Sequence, residues 1–303
     1  MSTRLASHGR LINRAKALSF TFNGKVMSGF EGDTLAASLL ANDQMLMGRS
    51  FKYHRPRGVL ASGGEEPNAL INLGVESGFE PNARATTTET FAGLTAASQN
   101  HFPALEFDVG AINSKLSRFL PAGFYYKMFI HPRSFWKHIY EPIIRYSAGL
   151  GKAPKARDQD SYEHYYHHCE VMVVGGGIAG LQAARSAAAT GVRVLLVEQT
   201  AHWGGRAPVD GVMIEGLAAA DWVAQILAEL AGRDNVVMRN RTQGSGVYDH
   251  GYALAYERVA DHTPGDGRPR HRLWRVRCKQ IVTATGAIER PLSFAGNDVP
   301  GVM

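Results

Sequence analysis

The sequence predicts two units in series, a small α+β unit first and an α/β unit with a parallel sheet after it. Three observations predict them. A two-residue hairpin signal at Asn23-Gly24 is followed at once by a cappable apolar helix. A glycine-rich turn, Gly175 to Gly180, sits between a buried strand and a helix, and an acid, Glu198, ends the next strand. The chain has 303 residues, enough for two domains with a sizeable core, and 45% hydrophobic with 20% charged residues is ordinary globular composition.

In chain order, the opening "MSTRLASHGRLINRAKA" is Arg-rich and acid-free, as transit peptides are, but it runs directly into patterned structure without a cleavage region. A cytoplasmic location is expected, and two cysteines, Cys169 and Cys278, make no disulfide framework. "LSFTFNGKVMSGF" alternates around Asn23-Gly24 and reads as a hairpin. In "EGDTLAASLLAND", Asp33 or Thr34 caps a short helix facing inward through Leu35, Leu39 and Leu40. "NALINLGVE" and "ARATTTET" read as further strands. This order suits a small β-grasp sheet at about residues 15–95.

Between helix and third strand lies "GRSFKYHRPRGVLASGGEEPNAL". The first 60 residues hold nine Lys and Arg against three Asp and Glu, so the whole formal charge of +6 resides there. Cations interleaved with rings suit nucleic acid, but equally suit a loop that holds cofactor phosphates.

Phe119 to Tyr146 is an aromatic-dense connector, expected to be helical and buried between domains or to form a subunit interface, its charges excluding a membrane span. "GKAPKARDQDSYEHYYHH" reads as polar linker. The expected domains are therefore 1–100, a connector over 101–168, and 169–303.

The second unit opens with "CEVMVV", then "GGGIAG", then the helix "LQAARSAAATG" and the strand "VRVLLVE", a βαβ unit. "IEGLAAADWVAQILAELAGR" is a second helix and "NVVMRN" a third strand. "SGVYDHGYALAYERVAD" and "RHRLWRVRCKQIVTATGA" read as antiparallel strands joined at "HTPGDGRPR".

Gly175-x-Gly177-x-x-Gly180 carries the chemistry. Gly175 permits the tight turn, Gly177 a close approach of backbone to a pyrophosphate, and Gly180 close helix–sheet contact, with Ile178 and Ala179 opening the helix beside the phosphates. Glu198, 18 residues after Gly180, suits a ribose hydroxyl and disfavours a 2′-phosphate. It leaves NAD and FAD undivided. Gly204, Gly205 and Arg206 of "HWGGR" and Thr285 and Gly286 of "TATGAIERP" fall where loops would close over the dinucleotide. Acid–base and metal candidates are weak: tandem His167, His168 and Cys169 point to alternate faces, and there is no CxxC. No metal site and no catalytic residue is expected.

"FNGKVMSGFEGDTLAASLLAND", the basic loop, "FWKHIYEP" and "HHCEVMVVGGGIAGLQAA" together resemble the alpha subunit of heterotetrameric sarcosine oxidase, over nearly the whole chain. The resemblance implies a ferredoxin-like β-grasp domain without its iron–sulfur cluster, since Arg49 to Gly58 holds no cysteine where a plant-type loop needs C-x4-C-x2-C. It implies a Rossmann-like, two-dinucleotide-binding-flavoprotein domain after it. It also implies NAD on this subunit, FAD and sarcosine oxidation on a beta subunit, FMN between the two, and folate at a C-terminal domain of alpha. Lys52, His54, Arg55 and Arg57 become candidate FMN or subunit contacts, and nucleic acid recedes. The sequence stops at "NDVPGVM", so the resemblance implies an incomplete C-terminal domain, a fragment. Two alternatives stand beside it: an FAD-binding alpha subunit of an opine- or proline-type oxidase, and a non-catalytic truncated binding module.

Overall fold

The computed structural model describes residues 2–121, 123, 129–147 and 153–302. They form two compact units. The first comprises Met1–Ala6, Ile12–Gln159 and Ile288–Met303, the second Ser7–Leu11 and Asp160–Ala287.

The first unit holds a five-stranded sheet of order β2-β1-β5-β3-β4. Strands β1 (Asn13–Phe22) and β2 (Lys25–Glu31) form the expected antiparallel hairpin. Asn23 and Gly24 take φ of 50° and 76°, the hand that matches strand twist in a two-residue loop. Helix α1 (Leu35–Ala41) is capped by Thr34, whose hydroxyl accepts from Ala37 N at 3.2 Å. Asp33 plays a different part. Buried, it takes both arms of Arg4 at 2.9 and 2.6 Å and the amide of Phe30. Leu35 and Leu39 close on Phe20 and Phe22 to form the core.

The sheet is completed by β3 (Leu70–Leu73), β4 (Glu80–Arg84) and β5 (Thr95–Ala97), with β5 parallel to β1. Most of "ARATTTET" is not the expected strand. Thr88 donates both its amide and its hydroxyl to Arg84 O, and this local bonding turns the chain out of the ladder. In the connector, helical structure occurs at Trp136–Tyr140 and α2 (Glu141–Ser147), but Phe135, Trp136, Ile139 and Ile143 are exposed rather than buried as expected. Residues 122 and 124–128 of that segment lie outside the described residues.

The second unit has three layers. Its parallel sheet has the order β9-β8-β7-β13, from β7 (Val171–Val174), β8 (Val194–Val197), β9 (Val236–Arg239) and β13 (Gln280–Thr283). On one face lie α3 (Ile178–Ala189) and α4 (Ala219–Ala231), where Val173 and Leu196 meet Leu181, Trp222 and Ile226. On the other lies a second sheet of order β10-β11-β12-β6, built from β10 (Thr242–Tyr248), β11 (Tyr252–Arg258), β12 (His271–Arg277) and β6 (Tyr162–His168). Met172, Leu195 and Val197 meet Ala255, Trp274 and Val276 there. Burial on both faces explains why "VMVV" and "VLLV" are unbroken apolar runs.

Two details depart from the sequence reading. Tyr162–His168, read as linker, is a strand paired in parallel with β12; Tyr162, His164, Tyr166 and His168 share one face, while on the other Tyr165 and His167 lie against the Trp274 ring. "RHRLWRVRCKQIVTATGA" is two strands in two sheets, β12 and β13, divided at Cys278 and Lys279.

Candidate functional site

The C-terminal ends of β7, β8 and β13 converge on the glycine turn, the edge at which open α/β sheets take ligands. Gly175 has φ of 108°, and a Cβ there would lie 2.3 Å from Ala284 O. A Cβ on Gly180 would lie 1.8 Å from Gly175 O. These two glycines close the turn. Gly177 differs: it caps α3 with extended backbone, and a Cβ there would meet nothing within 4 Å. The first helical bond runs from Leu181 N to Gly177 O at 2.9 Å, so the amides of Ile178, Ala179 and Gly180 have no acceptor within the helix. An open flank beside free helix amides suits an anion.

Glu198 is buried at the end of β8. One carboxylate oxygen accepts from Gly176 N at 2.7 Å, the other from Thr200 N and Oγ1 at 2.8 and 2.9 Å. The acid therefore builds the turn as well as facing it. Of about four acceptor positions on a carboxylate, the bond count leaves one on the Gly176 side.

The "HWGGR" loop folds back onto the turn. Gly204 N donates to Gly176 O at 2.8 Å, and Gly204 pairs with Gly177 as an isolated bridge. A Cβ on Gly205 would stand 3.3 Å from Gly177 Cα. Trp203 fills the space under Gly176, whose Cβ would lie 2.4 Å from its ring. Arg206 begins a short helical turn on the outside and pairs with Asp210 at 3.4 Å. Thr285 and Gly286 follow β13, both exposed, with Thr285 against Gly175. The structure thus gathers Gly175, Gly177, Ile178, Ala179, Gly180, Glu198, Gly204, Gly205 and Thr285 at one rim, with Arg206 and Gly286 at its margin.

The basic loop of the first unit is organised differently. Arg49 donates to Leu105 O at 2.9 and 2.7 Å, Lys52 to Pro121 O at 3.0 Å, and Arg57 pairs with Asp298. His54 Nδ1 lies 2.7 Å from Asp108, and Arg55 lies over the Tyr53 ring at 5.1 Å. Burial opposes ionisation of Asp108, but the Phe102 amide and His54 outweigh it and hold its carboxyl below the ordinary value. Much of the loop's positive charge is spent within the unit.

Sequence reasoning missed two partners of this loop. Glu66 is fully buried and accepts four backbone amides, those of Leu60, Ala61, Asn68 and Ala69. Its signal is an acid inside "SGGEEPNAL", a loop rich in amides that need acceptors. The other is the C-terminal stretch, where Glu289 accepts from Ser62 N and Oγ, each at 3.0 Å. Residues 288 onward therefore belong with the first unit, not with the nucleotide domain expected over 169–303.

Among the described residues no group of three His, Cys, Asp or Glu is placed to hold a metal ion. Cys169, in the core, is pushed up to about 12 by burial and then by nearby Cys278. Burial, and then Arg193 and Arg239, lower His167.

Residues 15–101 match the family described as a 2Fe-2S iron–sulfur cluster binding domain, and residues 170–261 the family described as FAD dependent oxidoreductase. The chain is 50% identical over its whole length to sarcosine oxidase subunit alpha of Rhizobium meliloti (strain 1021), covering 31% of that protein. To the subunit of the same name from Corynebacterium sp. (strain U-96) it is 34% identical over 97% of the chain and 26% of that protein. The resemblance read from the motifs holds over the full chain, which spans less than a third of the length of these relatives. Among solved structures, L-proline dehydrogenase from P. horikoshii aligns over 98% of this chain and 46% of its own, with a TM-score of 0.59 and 20% identity, a likeness of fold. Residues 15–101 contain no cysteine, so they offer no thiolates to the cluster that the first family's description names. No helix of the described residues is long and apolar enough to cross a membrane.

Proposed function

We propose that this chain is the dinucleotide-binding part of an alpha-type subunit in a sarcosine-oxidase-like assembly. The observation that carries this reading is the open flank at Gly177, bounded by the α3 amides and Glu198, in a chain 50% identical throughout to such a subunit. The assembly would oxidise N-methylglycine in the cytoplasm, with water and O2, to glycine, formaldehyde and hydrogen peroxide. A flavin-bearing beta subunit would hold the amine, smaller subunits would complete a heterotetramer, and folate would take up the one-carbon product.

Within this reading, the chain binds and orients rather than reacts. The helix amides meet the pyrophosphate, Glu198 accepts from the adenosine ribose, and the Gly204–Gly205 loop flanks both. Residues 1–100 serve as a cluster-free β-grasp domain, since thiolates are lacking. Match to a FAD dependent oxidoreductase family supports a flavin dinucleotide, which when bound would supply redox chemistry; NAD, placed first by resemblance, gains nothing from that match. Lys52, His54, Arg55 and Arg57 remain candidates for FMN or subunit contact; Arg55 lies over the Tyr53 ring and its charge also acts on Asp298.

The test is to purify the chain, record its near-ultraviolet to blue absorption, denature it and identify released nucleotide by mass. FAD or NAD in stoichiometric amount supports the reading and separates the two. A chain that releases neither and binds neither on titration refutes it.

A further inference from the structure

The sheet β10-β11-β12-β6 has two faces of contrasting chemistry. One is packed through Ala253, Ala255, Trp274 and Val276. Alternation and register then fix the other: Tyr166 stands beside Arg275, His168 beside Arg277, and Arg277 beside Tyr252. Alternate residues from Tyr162 to His168, from His271 to Arg277 and from Tyr252 to Arg258 include no Asp or Glu. The carboxylates of these strands, Glu163 and Glu257, lie on the packed side, both paired with Arg272.

The outward cations are held flat. Arg275 lies 5.5 Å over the Tyr166 ring and donates to its hydroxyl at 3.0 Å. Arg277 lies 4.7 Å over Tyr252 and donates to His250 O at 3.3 Å. Tyr166 is 66% and Tyr248 55% exposed. Rigid tyrosines and pre-placed guanidinium groups are the side chains that dominate protein interfaces. Four seven-residue strands make a face of roughly 23 by 19 Å, about 440 Å², enough for the centre of a standard interface of about 800 Å² per partner.

We infer that this face docks another subunit of the assembly through a protein surface that presents carboxylates among apolar groups. This rests on the multi-subunit reading above. Charge decides the occupant: Asp261 is bonded to His271 and Arg270 at one end of β12, and the guanidinium pair Arg275 and Arg277 toward the other end is complemented by Asp and Glu of a partner, which meet guanidinium in two-point geometry. Nucleic acid is disfavoured, because Arg275 and Arg277 already cover the Tyr166 and Tyr252 rings on which bases would stack, and rows of cations tracking a backbone are lacking.

The experiment is hydroxyl-radical footprinting of this chain alone and assembled with the flavin-bearing partner, with Arg275→Glu/Arg277→Glu as the variant. Protection of Tyr166 and Tyr248 on assembly is expected, and the variant should weaken association roughly 30-fold or more while retaining its nucleotide. Assembly with both tyrosines labelled as in the free chain overturns this inference alone, and that readout needs no variant to fold. Failure of the wild type to assemble overturns the multi-subunit reading and this inference with it. Salt-sensitive binding of single-stranded oligothymidylate, lost in the variant, would make the face a nucleic-acid surface and overturn the inference.

Discussion

Replacing Gly177 by valine separates the cradle's ligand role from its architecture. The backbone at Gly177 is φ −70°, ψ −178°, open to any residue, and its Cβ direction is clear to 4 Å, so valine meets no protein atom at its first carbon. Loss of stability should stay within about 1 kcal/mol, a shift of roughly 2–4 °C in Tm. The same carbon fills the flank where a pyrophosphate would approach the amides of Ile178, Ala179 and Gly180. A hydrogen bond to a charged group is worth about 1.5–3 kcal/mol, so losing one or two raises Kd by about 10-fold or more. Gly180→Ala is the contrast: its Cβ would stand 1.8 Å from Gly175 O, so the turn itself must break and both Tm and affinity should fall. Calorimetric titration with FAD, NAD and ADP, paired with scanning calorimetry, measures both. Wild-type affinity in Gly177→Val would refute the assignment, as would a loss of Tm equal to that of Gly180→Ala.

Other expectations follow from buried carboxylates. Glu66→Gln turns an amide NH2 toward two backbone donors, and urea unfolding of the first unit should register a loss of about 2–5 kcal/mol. In Glu198→Gln, either Gly176 N or Thr200 loses its acceptor, and dinucleotide Kd should rise about 10-fold, read by the same titration. Asp108 has a folded pKa below that of an unfolded Asp, about 3.9, so its ionised form stabilises the fold above that pH and the contribution is lost as pH falls through the lowered folded value. Urea midpoints from pH 7 to pH 3 should therefore fall less steeply at the acid end in Asp108→Asn, which starts lower at pH 7.

What the sequence disclosed was local. Asn23-Gly24 defines its hairpin through positive φ, the Thr34 cap lies three residues before the amide it accepts from, and Gly175 to Gly180 carries its own strand and helix. What it concealed depends on distant partners. Lys52 and Arg57 read as candidate FMN or subunit contacts, yet meet Pro121 O and Asp298 far along the chain. "YEHYYHH" reads as linker because a strand with only one covered face has polar alternates, and its partner β12 arrives about a hundred residues later. Glu66 looks like surface charge until the loop closes its amides around it.

The placing of sulfur has a use. Cys169 and Cys278 are the chain's only thiols, and both sit between the two sheets of the second unit. A reagent in solution reaches them only when those sheets part, because buried thiols with raised pKa are inert. The native chain thus carries a clock for opening of the second unit: the rate at which thiols react under graded denaturant reads that motion alone, while the first unit, lacking cysteine, stays silent.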